Sequence, residues 1–144
     1  MRYLGLDLGN KTLGIAISDE TATFVSPLEN FFFENRDFLT AAKRVIELCN
    51  EHSISEVALG NPLLMSGEES TRSRISHKFI AMLGGLNPSV KVVLIDERLT
   101  SVQAKEILQT CSYNEAKRTR VRDSVAACLI LESFLSGKFR NSTK

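Results

Sequence analysis

The chain has 144 residues, 43% hydrophobic and 24% charged, which suits one globular domain with a real core and excludes a low-complexity or disordered chain. A formal net charge of +1 excludes a globally basic nucleic-acid binder, so any such footprint must be local. Cys49, Cys111 and Cys128 show neither CxxC nor zinc-site spacing, no apolar run approaches ~20 residues, and no basic-then-apolar leader opens the chain. These features predict a cytoplasmic protein with reduced thiols and no membrane attachment.

The first predicted element is the strand around Tyr3-Leu4-Gly5-Leu6-Asp7-Leu8-Gly9. By the two-residue period Leu4, Leu6 and Leu8 share one face, and Tyr3, Gly5 and Asp7 the other. Gly9-Asn10-Lys11-Thr12 reads as a tight connection to an antiparallel strand, Leu13 to Ser18. A third extended segment lies between Thr23 and Phe33, placed at an edge or bulge by Pro27. Its Phe31-Phe32-Phe33 run reads as strand packing rather than a ligand platform.

A helix is predicted from Asp37, with Phe38, Leu39, Ala42, Val45, Ile46 and Cys49 inward. Val57 to Gly60 is a short buried strand ending at Asn61-Pro62. A second helix follows, burying Ile75, Phe79, Met82, Leu83 and Leu86 and closed by Gly84-Gly85 and Asn87-Pro88. Lys91 to Ile95 forms the next strand, and Thr100 with Gln103 fits a capping box for another helix. A polar, basic stretch from Ser112 to Arg122 leads into a last helix ending near Gly137, and residues 139–144 form a polar tail. The order β-β-β-α-β-α-β-α-α predicts a mixed sheet covered by helices, in a single domain spanning residues 1–138.

Asp7 stands out because a carboxylate on an apolar strand is costly unless paired, hydrogen-bonded or metal-bound. Asp96-Glu97 ends the run Val92-Val93-Leu94-Ile95, where open α/β sheets gather their sites. Adjacent extended residues point to opposite sides, so one of the two faces Asp7. Asp123 precedes the apolar stretch from Val125 to Leu135; alone it reads as a routine cap in a first helical turn. As a set, Asp7, Asp96, Glu97 and Asp123 suit phosphodiester hydrolysis. There Mg²⁺ or Mn²⁺, held by hard oxygen ligands, activates water and stabilises the leaving alkoxide. Asp7, Glu97 and Asp123 are the expected ligands. Zinc is disfavoured, since His52 and His77 lack partners at ligand spacing.

Cations lie near these acids: Arg72, Arg74 and Lys78 in the second helix, and Lys117, Arg118, Arg120 and Arg122 before Asp123. Lys11 and Arg98 stand beside Asp7 and Glu97 in sequence and join the set of expected nucleic-acid contacts. Without interleaved aromatics these cations favour phosphate contacts over base stacking.

In order, Gly5-Leu6-Asp7-Leu8-Gly9 through Gly14-Ile15-Ala16-Ile17-Ser18-Asp19, Gly60-Asn61-Pro62 with Gly67, Asp96-Glu97-Arg98-Leu99-Thr100-Ser101, and Asp123-Ser124-Val125-Ala126-Ala127 leading into Ile130-Leu131 resemble the motifs of the YqgF family, also called RuvX. These are Holliday-junction-resolvase-like proteins linked to pre-16S rRNA cleavage. The resemblance implies an RNase H-like fold: a five-stranded mixed sheet, strand two antiparallel, flanked by helices. It also implies a divalent-metal nuclease that matures the 5′ end of 16S rRNA in a bacterial cytoplasm. Precursor rRNA, branched DNA and ribosomal particles are the partners in view, and the protein is expected as a monomer or homodimer.

Two departures bear on the site. Thr12 stands where many members carry Arg, so the phosphate contact expected there is either lost or supplied by Lys11. Related resolvases place an acid at the end of the fourth strand, where this chain has Gly60-Asn61-Pro62. The second acid must then come from Asp96 or Glu97. With sheet order 3-2-1-4-5 that is two strand spacings from Asp7, about 10 Å.

Two other readings compete with a nuclease. Asp7-Leu8-Gly9 with Lys11-Thr12 also resembles the first phosphate motif of actin-like sugar kinases, but 144 residues leave no room for a second lobe. A non-catalytic rRNA or ribosome assembly factor would use the basic stretch and keep the acids for structure.

Overall fold

The computed structural model describes residues 1–64, 66–97 and 115–140, with positions 115–124 and 140 described as backbone alone. In chain order these form β1 (Leu4–Leu8), β2 (Thr12–Ser18), β3 (Val25–Phe32), α1 (Phe38–His52), β4 (Glu56–Asn61), α2 (Thr71–Leu86), β5 (Lys91–Asp96), α3 (Glu115–Leu135) and a π-helical turn (Ser136–Arg140). The helix expected from Thr100 lies outside the described residues.

The strands make one sheet in the order β3-β2-β1-β4-β5. β1 pairs antiparallel with β2 and parallel with β4, and β4 pairs parallel with β5. The C-terminal ends of β1, β3, β4 and β5 and the start of β2 therefore line one edge. β3 is the outer strand expected from Pro27, and its pairing with β2 shifts register between Ile15 and Ala16, opposite that proline. Arg44 of α1 clamps this strand by a two-pronged contact to Glu29 at 2.6 and 2.8 Å. The guanidinium holds the Glu29 carboxyl below its ordinary range.

Alternation along β1 separates two cores. Leu4, Leu6 and Leu8 pack with Val45, Leu48, Phe79 and Leu83 of α1 and α2. Tyr3 faces the other way, with Ala16, Ala58 and the Ala127, Ile130, Leu131 and Phe134 stripe of α3. Two leucines expected inside are exposed. Leu39 lies about 120° around α1 from Val45 by helical geometry, off the buried stripe. Leu86 is the last residue of α2, beyond Leu83 and the core.

α3 also departs from expectation. The basic segment expected to lead into the helix is already helical from Glu115, so Lys117, Arg118, Arg120 and Arg122 lie within α3. Asp123 is likewise two turns inside rather than a cap. Lys, Arg, Glu and Ala are good helix formers, and lack of an apolar stripe does not prevent them from extending a helix anchored further on. At the far end the π-helical turn continues past Gly137, and the Phe139 ring meets Tyr3 edge-on at 6.0 Å. Lys138 lies over the Tyr3 and Phe134 rings and pairs with Glu56 at 3.0 Å. Among the described residues no helix is long and apolar enough to cross a membrane. The thiols of Cys49 and Cys128 are free, and burial pushes both up to about 11.

The approach of α3 depends on Gly5, where a Cβ would stand 2.6 Å from both the Ala127 carbonyl oxygen and the Leu131 Cβ. Neither atom can swing away. Gly5→Ala should cost about 3 kcal/mol, at the upper end of overpacking effects. Gly85, with nothing within 4 Å of its missing Cβ, should behave oppositely, and Gly85→Ala should add about 0.5–1 kcal/mol. Urea unfolding of both variants against wild type checks the two signs.

Candidate active site

Asp7 is the last residue of β1 on the α3 side, half-buried and paired with Gly14 of β2. On its other flank β1 pairs with β4 through Leu6–Leu59, and Gly60 follows. Asp7 thus has glycines on both neighbouring strands, which leave the spaces beside its carboxyl free of β2 and β4 side chains.

Glu97 fills one of those spaces. Gly60 pairs with Ile95 and Asn61 with Asp96, and the Glu97 amide donates to the Asn61 carbonyl at 3.2 Å. This extra bond keeps the chain extended for one more residue. Ile95 and Glu97 therefore share the α3 side, while Asp96 turns outward and is exposed. The Glu97 carboxyl lies directly over Gly60: a Cβ there would be 2.6 Å from its Cδ and 2.7 Å from Ile130 Cδ1. From that position the carboxyl hydrogen-bonds with Asp7. A side chain passing over a glycine thereby spans the two-strand gap between β5 and β1.

The two carboxyls repel unless a proton or a cation lies between them. Burial first, and the adjacent Asp7 second, push Glu97 up to about 8, with Asp96 adding to the shift. Arg72 opposes it. From the first turn of α2, the Arg72 guanidinium donates to the Leu8 carbonyl at 2.7 Å and to Asn10 Oδ1 at 3.1 Å. It braces the end of β1 and brings positive charge to the acidic pair. The helix that carries it is anchored at Ser70, whose side chain accepts from the Ser73 amide at 3.1 Å and donates to the Pro62 carbonyl. Ser76 donates to the Gly60 carbonyl at 3.2 Å.

The expected residues divide as follows. Asp7, Glu97 and Arg72 come together, and Lys11 is exposed in the turn just beyond Asp7. Arg74 is exposed two residues past Arg72, and His77 is paired with Glu69 at 3.1 Å. The Asp123 backbone lies in α3 one helical turn before Ala127. Its side chain, those of Lys117, Arg118, Arg120 and Arg122, and all of Arg98 lie outside the described residues. Among the described residues no three His, Cys, Asp or Glu side chains form a metal-holding group. The donor chemistry of the Asp7–Glu97 pair nevertheless fits a hard divalent cation: two carboxyls in contact, with Glu97 strongly proton-retaining. Gly60 was not recognised as a site residue from sequence. Its signal was the small-residue alternation of Ala58 and Gly60 on one face of β4.

The RuvX family, described as Holliday junction resolvase, matches residues 1–137. The chain belongs to the RuvX family. A relative from Mesomycoplasma hyopneumoniae (strain 7448) is 42% identical over 137 residues, 95% of each chain, and one from Bacillus subtilis (strain 168) is 37% identical over 135 residues, 94% of this chain and 97% of that one. Both bear the name "Putative pre-16S rRNA nuclease". In fold, this RuvX chain is similar to Fowlpox virus resolvase bound to substrate Holliday junction DNA (TM-score 0.60, 18% identity, 96% and 99% coverage). It is also similar to RuvC of T. thermophilus with a Holliday junction substrate (TM-score 0.58, 12% identity, 96% and 95% coverage). The fold is RNase H-like.

Gly60→Ala should push the Glu97 carboxyl off its seat and separate it from Asp7. The pH dependence of the metal-free protein reads this directly. With Glu97 raised to about 8, the folded state keeps a proton that the unfolded state releases near 4.5. Its contribution to stability is complete below 4.5 and is lost as pH rises toward 8. In EDTA the melting temperature should therefore fall between pH 5 and 8. Glu97→Gln should flatten that slope, and Gly60→Ala should reduce it.

Proposed function

We propose that this chain is a divalent-metal-dependent nuclease that hydrolyses phosphodiester bonds of precursor rRNA to mature the 5′ end of 16S rRNA in the cytoplasm. The observation that carries this reading is the Asp7–Glu97 carboxyl pair. It sits over Gly60 at the C-terminal edge of the parallel strands, in a chain of the RuvX family. Such a pair is a poor structural choice, because removing either charge would relieve repulsion in a buried place. It is a good choice for holding a cation that must be gripped by oxygen and approached by phosphate.

Mg²⁺ or Mn²⁺, when bound, would polarise the phosphodiester and lower the pKa of an attacking water. Asp7 and Glu97 are the proposed ligands, with Asp123 as the third acid. Asp7 is the fixed member because β1 is hydrogen-bonded on both sides. Glu97 is the adjustable member, with a longer side chain one residue beyond β5. At neutral pH the pair retains a proton, so loading the cation should release it to solvent. Arg72 keeps the β1 end in place and offsets negative charge as phosphate arrives. Lys11, Arg74, Arg98 and the α3 cations Lys117, Arg118, Arg120 and Arg122 are the proposed contacts to flanking phosphates.

The fold shared with junction-bound resolvases gives branched DNA standing as a second substrate. The test uses a short 5′-extended precursor RNA and a four-way DNA junction, each with Mg²⁺, Mn²⁺ or EDTA. Wild type should cut the RNA with either metal and not in EDTA. Asp7→Asn, which keeps size and removes charge, should lower cleavage at least about 100-fold, the scale of losing a key charge-stabilising group. Cleavage of the junction in preference to RNA would assign the second substrate. RNA binding without cleavage, unchanged in Asp7→Asn, would identify a non-catalytic assembly factor.

A further inference from the structure

The Phe31-Phe32-Phe33 run does not pack as one unit. Phe31 and Phe33 turn inward, their rings stacked at 6.3 Å, and Phe33 meets Phe38 of α1 edge-on at 6.0 Å. Phe32 points to the opposite side and is 70% exposed. That side is the one that carries Asp7. The β2–β3 register pairs Thr12 with Phe32 and Gly14 with Asn30, while Gly14 also pairs with Asp7. Asp7, Gly14 and Asn30 therefore form one row across three strands, with Phe32 two residues further along at the same sheet edge. Two strand spacings separate Asp7 from Asn30, about 10 Å.

One more observation marks the Phe32 end of this row as a contact surface; Asn30 itself is covered, its Oδ1 buried without a hydrogen-bond partner. The turn after β3 is bonded to the β1–β2 turn: the Phe33 amide donates to the Lys11 carbonyl at 2.9 Å and the Arg36 amide to the Asn10 carbonyl at 2.8 Å. This brings the exposed residues Lys11 and Arg36 to the same edge as Phe32, with the exposed acids Glu34 and Asp37 in the same turn. An exposed ring with cations beside it, on the face and edge of a nuclease site, is an arrangement that can stack unpaired bases while flanking phosphates are neutralised.

We propose that Phe32 is a stacking platform for an unpaired nucleobase of the substrate strand, about two strand spacings from the scissile phosphate. Lys11 and Arg36 serve the adjoining phosphates. This rests on the nuclease reading above and adds a preference for single-stranded or frayed segments over continuous duplex. β3 is poorly suited to adding a strand from another chain, since Pro27 and the register shift interrupt its edge.

The chain contains no tryptophan, so Phe32→Trp would install a single reporter at the platform. In the Asp7→Asn background, with Mg²⁺ present, the protein is titrated with a labelled single-stranded oligoribonucleotide and with the same sequence fully duplexed. Anisotropy measures binding and tryptophan emission measures stacking. Single strand should quench the emission and bind more tightly than duplex. Phe32→Ala should weaken single-strand binding by roughly tenfold, the scale of one lost stack, while Phe32→Trp retains it. Oligonucleotide binding with unquenched emission and an unaffected Phe32→Ala would overturn the platform and leave the nuclease reading intact. Wild type that neither binds nor cuts any nucleic acid would overturn both. A Phe32→Ala change in sedimentation from dimer to monomer would assign the ring to a second copy of the chain and also overturn the proposal.

Discussion

Repulsion between two carboxyls governs this structure. Asp7 and Glu97 come from strands that are not neighbours, and nothing in backbone pairing requires them to meet. They meet because β4 puts Gly60 between them, and Glu97 occupies the volume that any side chain there would take. The pair is relieved at neutral pH by a retained proton and by the positive charge of Arg72. The proton leaves as pH rises, while Arg72 also donates to the Leu8 carbonyl and Asn10, which ties the positive charge near the pair to the end of β1.

The rest of the fold serves that placement. Gly5 lets α3 approach β1, and Gly60 admits Glu97. Both lie on the side of the sheet that α3 faces. The opposite face, built from Leu4, Leu6, Leu13, Leu59 and the α1–α2 pair, is packed without such gaps. The division is physically economical. One face supplies burial, at about 1.5–3 kcal/mol for each large apolar side chain, and the other can be pared back where chemistry needs room.

Most of this frame was legible in the sequence because its signals are local. The alternation of Leu4, Leu6 and Leu8 against Tyr3, Gly5 and Asp7 sets the two faces of β1, and the tight Gly9-to-Thr12 connection forces β2 antiparallel. Glu97 was named among the expected ligands, but the sequence left Asp96 open beside it, since the choice turns on the Glu97 amide extending the β4–β5 pairing by one residue. The start of α3 was missed because a helix held by packing at Ala127 and Leu131 can extend backward through residues of high helix propensity without any stripe. Leu39 was misplaced by counting apolar residues as a group rather than resolving their angles around the helix.

Phe32 shows the limit of reading a run by its composition. Three successive phenylalanines look alike, yet on a strand they cannot share an environment: the two outer rings go to one face and the middle ring to the other. The same alternation that hides Asp7 from the α1–α2 core places Phe32 on the carboxylate side. There, across Thr12 and Gly14, no large side chain of β2 stands to cover it. The ring therefore stays in water at the sheet edge, 70% exposed. Cations brought to that edge by the Lys11 and Asn10 backbone bonds, together with the acidic pair two strands away, favour a partner that is aromatic, anionic along its backbone and extended. An unpaired nucleic-acid strand meets all three conditions.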